Sequence, residues 1–107
     1  MVGDYKVITL CGSTRFKDEF MRAQRTLTLN GNIVISVGVF GHDPSLTDTE
    51  REFIEANKEM LDDMHKRKID MADEIVVIAP GSYVGKSTAS EIKYAIQHNK
   101  PVHYWAE

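Results

Sequence analysis

The chain has a single cysteine, Cys11, so it can build neither an internal disulfide framework nor a CxxC metal site. It also lacks an excess of positive charge: 13 Lys and Arg stand against 16 Asp and Glu, a formal net charge of −3, which gives no global attraction for a nucleic acid polymer. The one dense basic run, Lys66-Arg67-Lys68, has Asp62 and Asp63 before it and Asp70 after it, and reads as a solvated helix face. No apolar run approaches the roughly 20 residues that a membrane span needs. Repeats, low-complexity tracts and linkers are missing too. The opening residues, Met1 to Lys6, show neither a signal peptide's apolar region nor an Arg-rich presequence. With the lone thiol, these absences lead us to expect a cytoplasmic protein without membrane or nucleic-acid partners.

What is present suits a globular protein: 42% hydrophobic and 27% charged residues over 107 positions, enough for one domain spanning residues 1–107 and too few for a second core. Strand-like runs alternate with helical periodicity. Tyr5 to Cys11 reads as a first strand, and a helix follows from about Arg15 to Asn30, where Asn30-Gly31 is a stop signal. Ile33 to Val39 reads as a second strand. Thr47-Asp48-Thr49-Glu50 has the form of a capping box opening one long helix, from about Asp48 to Met71, with Phe53, Asn57, Met60, Leu61, Met64 and Lys68 on its inner face. In that setting Met60 and Met64 read as core fillers. Ile75-Val76-Val77-Ile78 is a β-branched run of the kind a strand buried on both faces requires. A third helix carries Ile92, Ala95 and Ile96, and Pro101 to Trp105 closes the chain as a fourth strand. Four strands separated by three helices imply a small three-layer α/β sandwich, Rossmann-like, with a parallel sheet in the order 2-1-3-4. The crevice at the carboxyl ends of strands 1 and 3 is then the switch point where ligands sit.

Two polar corners fall at that crevice. Gly12-Ser13-Thr14-Arg15 offers backbone N–H groups, two hydroxyls and a guanidinium at a helix start, fit for one phosphate or carboxylate; equally, Ser13 or Thr14 caps the helix and Arg15 is solvated. Gly81 to Ser87 invites a P-loop reading, but only three residues separate Gly81 from Gly85 where a P-loop has four, and Pro80 stands in place of the first glycine. A small-residue loop entering a helix still gathers anions at the positive end of the dipole. Glu91 allows two readings. Thr88-Ala89-Ser90-Glu91 is itself a capping-box pattern, in which Glu91 turns back to a backbone N–H; alternatively, Glu91 borders the apolar stripe of its helix and serves as a cleft nucleophile or base. His65 lies between Leu61 and Ile69 and reads as a structural partner for Asp62 or Asp70, since no second metal ligand stands at i+4. His42, His98 and His103 form no cluster in sequence. Tyr83, Tyr94, Tyr104 and Trp105 are available either to stack a base or to line a subunit interface.

These residues together resemble a known family. Leu10-Cys11-Gly12-Ser13-Thr14-Arg15, Asp73-Glu74-Ile75-Val76-Val77-Ile78, Ser87-Thr88-Ala89-Ser90-Glu91-Ile92-Lys93-Tyr94-Ala95 and Asn99-Lys100-Pro101-Val102 are similar, in matching order, to the nucleoside 2-deoxyribosyltransferase superfamily, and within it to the 2-deoxynucleoside 5-phosphate N-hydrolases. The resemblance implies a flavodoxin-like homodimer or larger assembly acting on a nucleoside or nucleotide without metal or organic cofactor. It implies Glu91 as a nucleophile that attacks the anomeric carbon, with His65 standing where the family has a catalytic aspartate. It implies Gly12, Ser13, Arg15, Gly85, Ser87 and Thr88 as phosphate or sugar contacts. Three further positions depart from the family pattern: Thr9 replaces a tyrosine, Ser87 a glycine, and Gly85 the aspartate of the transferase branch. A second expectation from another class is a non-catalytic nucleotide-binding or sensing module using the same cleft.

Overall fold

The computed structural model describes residues 1–106. Four strands, β1 (Val7–Gly12), β2 (Ile33–Ile35), β3 (Glu74–Ile78) and β4 (Val102–Tyr104), form one parallel sheet in the order β2-β1-β3-β4. The helices are α1 (Lys17–Leu29), α2 (Asp48–Ala56), α3 (Lys58–Asp70) and α4 (Lys86–Gln97), and a short 3-10 turn covers Pro80–Ser82. β1 and β3 are central and pair from Ile8–Glu74 to Gly12–Ile78.

Alternation along the two central strands divides the interior into two layers. Ile8, Leu10, Val76 and Ile78 point to the α1 side and pack on Phe20 and Ala23, while Cys11, Ile75 and Val77 point to the other side and pack on Ile69 of α3 and Ala95 of α4. Every residue of β3 is buried, as a strand covered on both faces must be. Its one charged member, Glu74, is met by Lys6 Nζ at 3.1 Å and His103 Nε2 at 2.6 Å, both reaching across from neighbouring chain segments. No helix among the described residues is long and apolar enough to cross a membrane.

Three elements differ from the sequence expectation, each for a local reason. The strand expected to run to Val39 ends at Ile35, because β2 is an edge strand whose pairing with β1 stops at Thr9, and Gly38 takes a left-handed φ of 80°. The Ser36 carbonyl, freed from the ladder, accepts from Lys68 Nζ at 2.9 Å. The single long helix is two: Asn57 has φ −123° and ψ 30°, and its Nδ2 donates to the Phe53 carbonyl at 2.8 Å, competing with the helical ladder. The break changes which residues face inward. His65 and Ile69 are the buried positions of α3, whereas Phe53, Met60 and Met64 are 56%, 40% and 46% exposed, so neither methionine fills the core. The capping box at Thr47 and Glu50 is present in both directions. Finally, α4 begins at Lys86 with Gly85 as its N-cap, one turn earlier than a box at Thr88 requires.

Candidate functional site

A cavity of about 370 Å³ opens at the carboxyl ends of β1 and β3, the position where open parallel sheets bind ligands. The end of β1 and the segment after it supply Gly12, Ser13 and Thr14, the N-terminus of α4 supplies Gly85, Lys86, Ser87 and Thr88, and α3 closes the third side with Lys58, Asp62, His65 and Lys68. Val37 and Val39, released from the sheet where β2 ends, join Ile54 and Leu61 as the apolar wall.

The first corner depends on a glycine. Gly12 runs directly beneath the end of β3: a Cβ placed on it would lie 2.6 Å from the Ile78 carbonyl oxygen and 3.2 Å from the Phe20 ring. Only glycine allows that approach. Neither helix end at the cavity is capped by a side chain: α1 has Phe16 as its N-cap and α4 has Gly85, with no acidic residue in the first turn of α4. The first N–H groups of α4 are therefore free for an anion. The Ser13 hydroxyl accepts from the Arg15 N–H at a long 3.4 Å, and neither it nor Thr14 caps α1, so the capping alternative for this corner does not hold.

Glu91 lies on the inward face of α4 with Thr88 and Ala95, and is 8% exposed. Because the helix starts at Lys86, Glu91 is in its second turn, beyond reach of a capping box at Thr88. Its carboxylate instead meets two buried groups. Glu91 Oε1 is 4.0 Å from His65 Nε2, and His65 Nε2 is 3.5 Å from Cys11 Sγ. Burial pushes the Glu91 carboxyl up to about 7; the negative charge of Asp62 adds to the rise, and the Cys11 hydrogen bond and Lys66 oppose it. Burial holds the His65 ring down at about 4, with Lys68 contributing, against a hydrogen bond to the Leu10 backbone. His65 is thus a neutral imidazole at pH 7. Burial and the neighbouring Glu91 raise the Cys11 thiol far above its usual range, so it stays an S–H. The three donor atoms, one each from thiol, imidazole and carboxylate, all lie within 4.8 Å of one another, a set able to hold a metal ion.

The structure brings Gly12, Ser13, His65, Gly85, Ser87, Thr88 and Glu91 to one cavity. Arg15 is not among its lining residues: its guanidinium lies over the Tyr83 ring, 4.5 Å from the centroid, and Tyr83 is itself set edge-on against Phe16. Tyr83, Tyr94, Tyr104 and Trp105 also stand outside the lining. Tyr94 is bonded to Asp70 and stacked on His98. His65 partners neither Asp62 nor Asp70. Thr9, where the resembled branch has a tyrosine, is buried and donates to the Lys68 carbonyl at 2.9 Å, tying β1 to α3.

Sequence reasoning missed Lys58 and Lys68 as cavity residues and Cys11 as a neighbour of Glu91. For Lys58 the signal was the Asn57 break, which starts a new helix there; Lys68 already stood on the expected inner face, and only its place in the cavity was missed. For Cys11, strand alternation was the signal, since it places Cys11 on the side of α3 and α4. Neither a protein-family model nor a curated protein sequence matches the chain.

Proposed function

We propose that the protein cleaves or exchanges the N-glycosidic bond of a deoxynucleoside or its 5-monophosphate, with Glu91 as the nucleophile. The observation that carries this reading is a buried carboxylate on the floor of a cavity whose rim holds free helix N–H groups, two hydroxyls and lysines. An anionic sugar phosphate matches that polarity: phosphate at the rim, by Ser13, Lys86, Ser87 and the α4 N-terminus, and the anomeric carbon at the floor. The carboxylate then displaces the base to form a sugar ester, and water or a second base resolves it, the retaining two-step scheme. His65, neutral and beside Glu91, is better suited to positioning the carboxylate than to protonating the leaving base. Asp62, the cavity's second carboxylate, is the residue we assign to that proton transfer. We also propose that the active form is a homodimer or larger assembly, an expectation that rests on the family resemblance.

Incubating the protein with a panel of deoxynucleosides and their 5-monophosphates, with and without an acceptor base, tests the reading by chromatography of released or exchanged base. Release identifies the substrate. No release across the panel, with a monophosphate still bound, contradicts it and leaves the nucleotide-sensing module.

Two further outcomes are expected in that assay. Lys86→Ala raises KM for a monophosphate by about tenfold or more, the cost of one charge-assisted hydrogen bond, whereas Arg15→Ala, which removes a contact outside the cavity, changes it by less than about fivefold. A ratio in the opposite order would return Arg15 to the phosphate site. With a deoxynucleoside analogue whose leaving group needs no protonation, and in the presence of a chelator, kcat/KM rises about tenfold per pH unit below pH 7 and levels above it, because only the ionised Glu91 attacks and its carboxyl is pushed up to about 7. A flat profile between pH 5 and 8 would contradict the assignment.

A further inference from the structure

Cys11, His65 and Glu91 come from β1, α3 and α4, three elements that meet only in the folded chain. The reaction proposed above uses the carboxylate, has no chemical task for the thiol, and leaves the two together in a buried place. We propose that these three side chains form a binding site for a single zinc-class divalent cation, with its fourth position open to the cavity.

The spacing supports this. Bonds of about 2.3 Å to sulfur and about 2.0 Å to nitrogen and oxygen at a tetrahedral angle set sulfur and nitrogen about 3.5 Å apart and nitrogen and oxygen about 3.3 Å apart. The Cys11 Sγ to His65 Nε2 separation is 3.5 Å, and His65 Nε2 to Glu91 Oε1 is 4.0 Å. The third separation, from Cys11 Sγ to the Glu91 carboxylate, is no more than 4.8 Å against about 3.5 Å in a tetrahedral set, so the Glu91 side chain closes by about 1 Å to complete it. The His65 ring is engaged by a hydrogen bond to the Leu10 backbone, and Nε2 is the nitrogen turned to the thiol and carboxylate. A ring held by the backbone, with Nε2 aimed at the other two donors, is how ligating histidines are fixed in place.

Charge and softness select the ion. When bound, a thiolate and a carboxylate balance a divalent cation, so the buried site becomes neutral overall, and the thiolate–imidazole–carboxylate set favours zinc over magnesium or calcium. Binding forms a metal–sulfur bond as the S–H bond breaks and its proton passes to solvent; no oxidant or reductant is involved. His65 and Glu91 line the cavity and Cys11 lies behind them, which leaves the ion's remaining position facing the ligand space. A cation held there engages the carboxylate assigned as nucleophile, so the metal-bound and catalytic states exclude one another.

The test needs no substrate, and its result is therefore separable from that of the glycosidic reading. The full chain, stripped by chelator, is titrated with Co²⁺ and then with Zn²⁺. The site predicts one Co²⁺ per chain, with a near-ultraviolet sulfur-to-cobalt charge-transfer band and the visible bands of a four-coordinate ion, all abolished by one equivalent of Zn²⁺. Cys11→Ser, if circular dichroism shows it folded, loses the charge-transfer band. Zinc-edge X-ray absorption on the native protein is independent of any variant, and it should show one sulfur at about 2.3 Å and nitrogen or oxygen at about 2.0 Å. Absence of a charge-transfer band in the folded native protein at saturating Co²⁺, or a zinc shell without sulfur, overturns the site.

Discussion

Glu91→Gln lowers the rate of base release at least about a thousandfold, the scale expected when a covalent nucleophile is removed while binding is kept. The same substitution makes the protein more stable at pH 8. An unfolded glutamate ionises near 4.5, whereas the folded one is pushed up to about 7, so ionising Glu91 opposes folding. Its contribution is neutral below pH 4.5, grows more unfavourable as pH rises through 4.5 to 7, and is constant above. At pH 8 the cost is on the order of 3 kcal/mol, from two to three pKa units at about 1.4 kcal/mol each. Glutamine keeps the shape beside His65 and Cys11 without the charge. The denaturant midpoints of native protein and variant should therefore coincide at pH 4.5, where His65, held down in both, acts on them alike, and separate at pH 8 in favour of the variant. A variant that is both inactive and less stable at pH 8 would mark Glu91 as a structural partner of the thiol and imidazole.

Gly12→Ala costs about 1–3 kcal/mol of stability and impairs ligand binding together. The added Cβ meets the Ile78 carbonyl oxygen at 2.6 Å and Ile78 Cβ at 3.1 Å, neither of which can swing aside as a flexible side-chain tip would. Relief requires the ends of β1 and β3 to separate, and those ends carry the Ser13 and Lys86 corners on either side of the cavity. Substitution at Gly31 provides the contrast, since a Cβ there has nothing within 4 Å, though its φ of 91° still strains a larger residue. Chemical denaturation of Gly12→Ala with calorimetric titration of the monophosphate checks both effects. Unchanged stability with unchanged affinity would show that the two corners do not depend on this close approach.

The sheet was legible because its signals are local and redundant. Ile75 to Ile78 has the composition of a doubly covered strand, and the alternation of strand and helix patterns leaves few arrangements for four parallel strands. The two polar corners followed from that order, since both lie just after central strands. What escaped was decided by single residues in competition with propensity. Asn57 interrupts an otherwise continuous helical pattern by bonding its side chain to the Phe53 carbonyl, and Met60 and Met64, expected as core fillers, are partly exposed while His65 is buried. Thr88 to Glu91 matches a capping box, but Gly85 starts the helix earlier, so the pattern falls inside α4 and Glu91 faces the cavity. Arg15 follows a phosphate-like corner in sequence, yet its side chain finds the Tyr83 ring. The meeting of Cys11 with His65 and Glu91 spans 54 positions between the first two and 26 between the last two, which no spacing rule reaches.

If Glu91 is the nucleophile, turnover passes through a covalent bond between its carboxylate and the sugar. Mass spectrometry tests it directly on protein quenched with acid after reaction with a 2-fluoro-2-deoxyarabinosyl analogue of the substrate found in the panel; fluorine at C2 destabilises the positive charge that develops at the anomeric carbon and slows release of the ester. The expected result is a stoichiometric mass increase of one fluorosugar or its phosphate, located by peptide sequencing on Glu91 and missing in Glu91→Gln. Base release by the native protein with no adduct, or an adduct on another residue, would contradict it.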